Sequence, residues 1–579
     1  MKLSDYITRF LAKHTRHAFV GTGGCIVHVL DSLNKSPHIH LVPCENEQGA
    51  AIAAEAYYRV KGKIGVAIAT SGPGMINLIQ GIACAYFDST PSLYISGAPP
   101  TYHLKGKHKV RQMGFQEMDV IKIVKPLTKY AVLLTNPKRI RYELEKLIYS
   151  AFEGRPGPVL LDLPDDIQRA HINPQKLKSF IPKRKTPTLN KTAINKTMGL
   201  IKKAARPVII VGGGVKTRDV RKELKTFLNK SRIPFATTWA TIDMFLDNEP
   251  NLIGNFGISA NRAGNFAIQN CDLLISLGSR LDTHGAGSDV ARFAPKAKKI
   301  VVDIDRAELD KHTRMKTDLK IHCDLKTFLK GLINSSEIET RDLNQWKRKI
   351  QEWKDRYPIY LEKYYKQKNK VNPYVFMNEL SKETKEGDIV VTETGATLTW
   401  TMQAYKIRTR QALFSAFNHA SMGYALPAAI GAQYAAPENR VICITGDGGI
   451  QMNIQELETI AYNKLPIKIF LINNRGYGMI KQTQDTWLDS VYVASDPSCG
   501  LGFPDFQKVA KAYKIKTLQI ANHGELKKMI RKVLSYKGPV LCDVKLRPGE
   551  KIIPKLEFGR PLEDMSPLLP RSELKANRL

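Results

Sequence analysis

The sequence predicts an α/β protein built from three doubly wound, Rossmann-like parallel-sheet domains. Two observations predict it. A rhythm of short apolar strand, glycine or polar turn and amphipathic helix recurs in three separate segments. A chain of 579 residues, 43% hydrophobic and 25% charged, is also globular in composition and too long for a single core.

The elements follow in order. In the first unit, residues 1–172, the apolar runs are IHLV at 39–42, IGVAIA at 64–69, SLYIS at 92–96 and GPVLLDLP at 157–164. The second run leads into the turn Thr70-Ser71-Gly72-Pro73-Gly74. Residues 173–190, rich in Pro and Lys, read as a linker. A central unit, 191–340, opens with PVIIVGGG at 207–214 and holds DLLISL at 272–277 and IVVDID at 300–305. A charged, helical stretch at 340–367 leads to the third unit, 372–548. The last segment, 549–579, carries four prolines and reads as an extended tail.

Composition narrows the function classes. No apolar run reaches the ~18 residues of a membrane span, and the start of the chain has no secretory pattern, so a cytoplasmic protein is expected. Eight scattered cysteines without a C-x-x-C pair signal neither a disulfide framework nor a zinc site. The formal charge of +34 raises a nucleic-acid partner. The basic residues, however, are spread along the chain in short clusters such as 105–111 and Lys183–Lys185, without a recognisable nucleic-acid motif. No nucleic-acid partner is expected; a positive field also gathers small anions.

The chemistry concentrates in VICITGDGGIQMN, 441–453. Residues 441–445 suit a buried parallel strand, 454–464 a helix and 467–472 a second strand that ends in Asn473-Asn474. Parallel strands point the same way, so Asp447 and Asn474 emerge together at the carboxyl edge where open sheets bind ligands. Two oxygen donors at one edge form half of a magnesium site, the rest being waters and a ligand's phosphates. Gly446, Gly448 and Gly449 would then let a diphosphate reach backbone N–H groups. Each piece alone also reads as an ordinary turn with Asp447 as a cap. Without Gly-Lys-Ser/Thr it is not an ATP-type phosphate loop.

Gly446-Asp447-Gly448 with Asn473-Asn474 resembles the thiamine diphosphate signature. The resemblance extends over nearly the whole chain to the acetolactate synthase large-subunit family, through YFDSTP at 86–91, GFQE at 114–117, GRPGPV at 154–159, MGYALPAAIG at 422–431 and GYGM at 476–479. It implies a pyrimidine-binding first domain, a central domain and a diphosphate-binding third domain. It further implies that Asp447, Asn474 and the Gly476 carbonyl hold Mg²⁺, and that Glu47 meets the coenzyme's aminopyrimidine ring. Met422 would bend the coenzyme, with Gly448, Gly449, Tyr477, Gly478, Met479, Ala396 and Thr397 around it. Ala396-Thr397 stand where the family carries Gln-His. Sites shared between two subunits, hence a homodimer or homotetramer, are implied as well.

The implied reaction is decarboxylation of a 2-oxoacid such as pyruvate, with the two-carbon unit passed to an acceptor carbonyl. Gln116 and Phe115 match residues lining the substrate pocket. At the acceptor pocket the sequence departs from the family: His284 follows Arg280-Leu281-Asp282-Thr283 where an arginine is expected, Thr483 replaces a tryptophan, and His419 precedes Met422. These departures resemble a side branch that adds two carbons to a ketosugar in surface-polysaccharide and deoxysugar pathways; a simple decarboxylase or oxidase is the next alternative. The central domain resembles a flavin-binding one, with Gly212, Gly213, Gly214, Arg280, Asp303, Asp305 and Asp324 as FAD contacts. A catalytically silent basic binding protein is the non-enzyme alternative.

Overall fold

The computed structural model describes every residue except 183–188, 218–219, 312, 336–337 and 368. The basic cluster Lys183–Lys185 and part of the 173–190 linker therefore lie outside the described residues. Three six-stranded sheets, parallel throughout, carry the fold.

The first sheet holds β1 (His17–Val20), β2 (His40–Pro43), β3 (Gly65–Ala69), β4 (Ser92–Ala98), β5 (Tyr130–Leu133) and β6 (Val159–Pro164) in the order β2-β1-β3-β4-β6-β5. The central sheet holds β7 (Pro207–Val211), β8 (Phe235–Thr237), β9 (Leu252–Asn255), β10 (Leu273–Leu277), β11 (Lys298–Asp303) and β12 (Leu319–His322), ordered β12-β11-β10-β7-β8-β9. The third holds β13 (Ile389–Thr392), β14 (Ala412–Phe414), β15 (Val441–Gly446), β16 (Lys468–Asn473), β17 (Lys516–Ile520) and β18 (Val540–Lys545), ordered β14-β13-β15-β16-β18-β17. The outer sheets thus share one topology, while the central sheet has the dinucleotide-binding order, reversing between β7 and β10.

Seven helices position the site: α1 (Glu47–Lys61), α2 (Pro73–Phe87), α3 (Gly395–Ala404), α4 (Ala425–Ala435), α5 (Asp447–Met452), α6 (Glu456–Tyr462) and α7 (Gly478–Trp487). Small residues in α1 and α4 let the two outer domains pack closely. A Cβ on Gly431 of α4 would overlap the backbone of Ala53, and one on Gly81 of α2 would lie 2.7 Å from the Ala51 carbonyl carbon. The resulting core runs through both outer domains, from Phe19 and Ala50 to Val391 and Leu471. One continuous apolar layer therefore couples the two.

Two expectations need correction. The single helix expected at 454–464 begins earlier and is broken, with α5 starting at Asp447 and α6 at Glu456. Residues 549–579 are not a free extended tail: Lys555–Leu556 pairs antiparallel with Met565–Ser566, and a helix spans Arg571–Ala576. The prolines break regular structure, but Leu556, Leu562 and Leu574 supply apolar anchors that bury against the central domain. Asn265 donates to the Leu562 carbonyl at 2.9 Å, and the Trp353 indole donates to Asn577 at 2.8 Å. The eight cysteines are free thiols, five of them buried.

Candidate active site

β15 and β16 run parallel with Gly446 beside Ile472, so Asp447 and Asn474 leave the sheet at the same edge. Asp447 is 2% exposed. Its Oδ2 accepts backbone N–H groups from Asn474 at 3.0 Å, Arg475 at 2.5 Å and Gly476 at 3.4 Å, and its Oδ1 accepts Gly448 N–H at 2.7 Å. Burial nonetheless raises its carboxyl to about 7, outweighing those four donors. Asp447 is the first residue of α5, whose N-cap is Gly446 without a side-chain cap bond, so its carboxyl does not play the capping role that the local sequence allowed. It ties down the loop 474–476 that follows β16.

The Asn474 side chain faces two acceptors. With its nitrogen inward it donates to Asp447 Oδ2 at 3.1 Å and to the Gly476 carbonyl at 2.9 Å; with its oxygen inward the same place gathers three oxygens. Octahedral Mg²⁺ with bonds of ~2.0–2.1 Å needs neighbouring oxygens about 2.9 Å apart. The two separations from Asn474, 3.1 and 2.9 Å, match two edges of that octahedron. Among the described residues no cluster of three His, Cys, Asp or Glu side chains offers another metal site.

Around this edge the structure assembles much of the predicted cofactor set. A Cβ on Gly448 would overlap the Tyr477 ring and lie 3.3 Å from Met422 Cε, so Gly448, Tyr477 and Met422 meet. Thr397 approaches Gly446, and Ala396 lies near Gly478, which Asn474 also crowds. Gly449 is required by Glu393, whose carboxyl carbon would stand 2.7 Å from an added Cβ. These glycines make room for the protein's own side chains, a reason the sequence did not reveal. Met479 packs into the third domain's core, and the Thr483 hydroxyl bonds back to the Met479 carbonyl at 3.0 Å.

Glu47 opens α1 behind the Asn46 cap and accepts from the Asn77 amide at 2.9 Å. Gly21 and Gly74 clear space for its carboxylate, since a Cβ would lie 2.9 and 3.1 Å from Oε1. Gln116, in left-handed backbone at φ 59, packs against Gly72, and Ser71 donates to its amide oxygen at 3.5 Å. Phe115 beside it is 82% exposed. Glu117 organises this loop by accepting the N–H groups of Lys105 at 2.6 Å and Met113 at 2.9 Å. Among the described residues no hydrogen bond links Glu47 to the Asp447 loop within the chain.

Two acids escaped the sequence reading. Glu393, after β13, accepts Thr394 N–H at 3.1 Å and those of Tyr424 and Ala425 at 3.3 Å; Glu456 of α6 accepts Asn46 N–H at 3.1 Å and the Thr459 hydroxyl at 2.8 Å. Burial raises each to about 7. Glu456 lies within a run read as an ordinary amphipathic helix; an acid on its apolar face was the available signal.

The four acceptor residues are dispersed. His284 lines a cavity of about 550 Å³ at the β7/β10 switch point, its ring 4.1 Å from Trp239 and its pKa lowered by burial. His419 stacks on Phe87, another wall of that cavity, at 5.3 Å, while Phe115 and Thr483 belong to other elements. Gly213, Gly214, Arg280 and Asp303 line the cavity. Gly212 is required by its approach to Gly278, Asp305 caps the helix Arg306–Asp310 and pairs with Arg155 at 3.4 Å, and Asp324 caps Leu325–Asn334. Thr238 Oγ1 and Trp239 Nε1, both in this wall, are buried without a hydrogen-bond partner.

Family models match all three domains. Residues 1–123 match the thiamine pyrophosphate enzyme N-terminal TPP-binding domain, 194–332 the central domain and 393–544 the C-terminal TPP-binding domain. The chain belongs to the thiamine pyrophosphate enzyme family. It is similar to the acetolactate synthase large subunit of Porphyra purpurea, with 34% identity over 94% of this chain and 91% of the relative. A probable acetolactate synthase large subunit of Methanocaldococcus jannaschii is 33% identical over 99% and 97%, and acetolactate synthase 1, chloroplastic, of Zea mays 32% over 95% and 86%. The chain is therefore a thiamine diphosphate-dependent enzyme of the acetolactate synthase-like kind. No helix of the described residues is long and apolar enough to cross a membrane.

Proposed function

We propose that this enzyme decarboxylates a 2-oxoacid, with pyruvate as the first substrate, and joins the two-carbon unit to a second carbonyl compound. The observation that carries this reading is the set of three oxygens from Asp447, Asn474 and Gly476 beside Gly448, Tyr477 and Met422. Those oxygens would hold Mg²⁺ against the coenzyme's diphosphate, and Met422 and Tyr477 would support its rings. The bound coenzyme supplies a carbon nucleophile and a store for the electron pair released with CO₂.

Glu47 serves the other end. One of its oxygens is fixed by Asn77, and the other, cleared by Gly21 and Gly74, would face the pyrimidine ring nitrogen of a bound coenzyme and exchange a proton with it. Glu47 and Asp447 belong to separate sheets, each with its own hydrogen-bond partners. This supports a site completed by a second copy of the chain, in a homodimer or homotetramer. The exposed Phe115 and neighbouring Gln116 suit a loop that lines such a shared pocket. FAD is the proposed ligand of the central cavity, whose unpartnered Thr238 and Trp239 donors and switch-point position suit a dinucleotide.

One observation favours a second acceptor. With His284 where the family carries an arginine and Thr483 where it carries a tryptophan, the sequence lacks the fixed cation that would hold a second carboxylate, which suits an uncharged ketosugar carbonyl. The experiment supplies thiamine diphosphate, Mg²⁺ and pyruvate, follows CO₂, and analyses products with and without a ketosugar. Acetolactate supports the first reading and a sugar adduct the second; no CO₂ from any 2-oxoacid overturns both.

A further inference from the structure

The loop carrying Met422 is gripped by the first domain at two points. Asp88, at the end of α2, accepts the backbone N–H groups of Phe417 at 2.9 Å and Asn418 at 3.0 Å, and the Asn418 side-chain amide at 2.6 Å. Arg59 of α1 pairs with the same carboxylate at 2.5 Å and with Glu55 at 2.5 Å; Glu55 in turn accepts the Tyr424 hydroxyl at 2.7 Å. Glu55 and Asp88 are almost wholly shielded from water. Between these grips the chain turns through Ala420, at φ 52, and presents Met422 to Gly448 and Tyr477.

We propose that Asp88 is a positioning residue, acting through Phe417 and Asn418 to set where Met422 stands over the coenzyme. A loop outside helix or sheet takes its geometry from such bonds, and a supporting side chain must hold its neighbour within ~0.5 Å to serve a site. Replacing the carboxylate removes the charge paired with the largely shielded Arg59 and the acceptors that hold the Phe417 and Asn418 N–H groups, so nothing fixes the loop where it stands. The inference rests on the proposed role of Met422. It adds that the first domain disposes a cofactor-facing residue of the third domain within the same chain.

A double-mutant cycle tests it. Thiamine diphosphate affinity is measured by calorimetry, with Mg²⁺ present, on the full chain, Asp88→Asn, Met422→Ala and the double variant. Each single change is expected to weaken binding about tenfold, and the double variant no more than about twofold beyond Met422→Ala, because a misplaced side chain that is absent has nothing further to lose. Losses that multiply to about a hundredfold, with tight wild-type binding, overturn the positioning role and leave the proposed function standing. Wild-type affinity in Asp88→Asn also overturns it. Wild-type affinity in Met422→Ala removes the reading beneath it, and a wild-type chain that binds no thiamine diphosphate removes the proposed function as well. Asn418→Ala, at an exposed side chain, runs through the same cycle if Asp88→Asn does not fold.

Discussion

Replacing Glu456 by Gln is expected to stabilise the chain at pH 8 relative to wild type, and to leave the two alike at pH 5. The side chain is fully buried, and its carboxyl is raised from 4.5 to about 7, chiefly by desolvation, with Glu45 adding repulsion. Between those values the folded chain holds a proton that the unfolded chain has released, so stability falls as pH rises and then levels off above about 7. A shift of this size corresponds to about 3 kcal/mol at ~1.36 kcal/mol per pH unit. The amide of Gln keeps an oxygen for Asn46 N–H, while the Thr459 hydroxyl can turn to accept its nitrogen. Only the ionisation is removed. Thermal unfolding followed by circular dichroism from pH 5 to 8 should show the variant's midpoint gaining about 6 °C on wild type, for a domain of this size. Parallel midpoint curves for the two chains would refute the reasoning.

Three further outcomes are expected. Gly448→Ala should weaken thiamine diphosphate binding more than tenfold in calorimetry, because its Cβ must displace the Tyr477 ring, and Tyr477→Leu should restore part of the loss. Glu47→Gln and Asp447→Ala chains, each inactive alone, should regain roughly a quarter of wild-type CO₂ release when refolded together in equal amounts, because about half the dimers are then hybrids with one undamaged site of two; verified hybrids without activity count against sharing. Gly431→Ala should destabilise the contact between α1 and α4 by about 1–3 kcal/mol, read as a lowered urea midpoint, because the atom it strikes is backbone and cannot rotate away.

The pairing of Asp447 with Asn474 was legible because one right-handed crossover between parallel strands leaves no choice of edge. The three-unit rhythm was legible for a similar reason: strands buried on both faces need continuous apolar runs, and those are visible locally. Glu456 was not, because its partner Asn46 lies 410 residues away and nothing in QELETI marks a long-range bond. The straps from Asp88 span 329 residues and were hidden in the same way. In the last thirty residues, local proline content predicted an extended path. Burial of three apolar side chains against the central domain outweighed it.

The shared topology of the outer sheets gives these hidden acids a common meaning. α1 follows the second strand of its sheet and α4 follows the second strand of its own, so the two helices occupy equivalent places and pack together. Each begins at a proposed cofactor contact: Glu47 opens α1, and Met422 stands just before α4. At each start a buried glutamate from the third domain accepts backbone N–H groups, Glu456 at Asn46 and Glu393 at Tyr424 and Ala425. A carboxyl group can accept from an N–H in either protonation state, and a helix start favours the charged form. Ionisation near pH 7 therefore lowers the stability of the fold without releasing either helix start. The geometry of the site should persist across the pH range in which the chain itself becomes less stable.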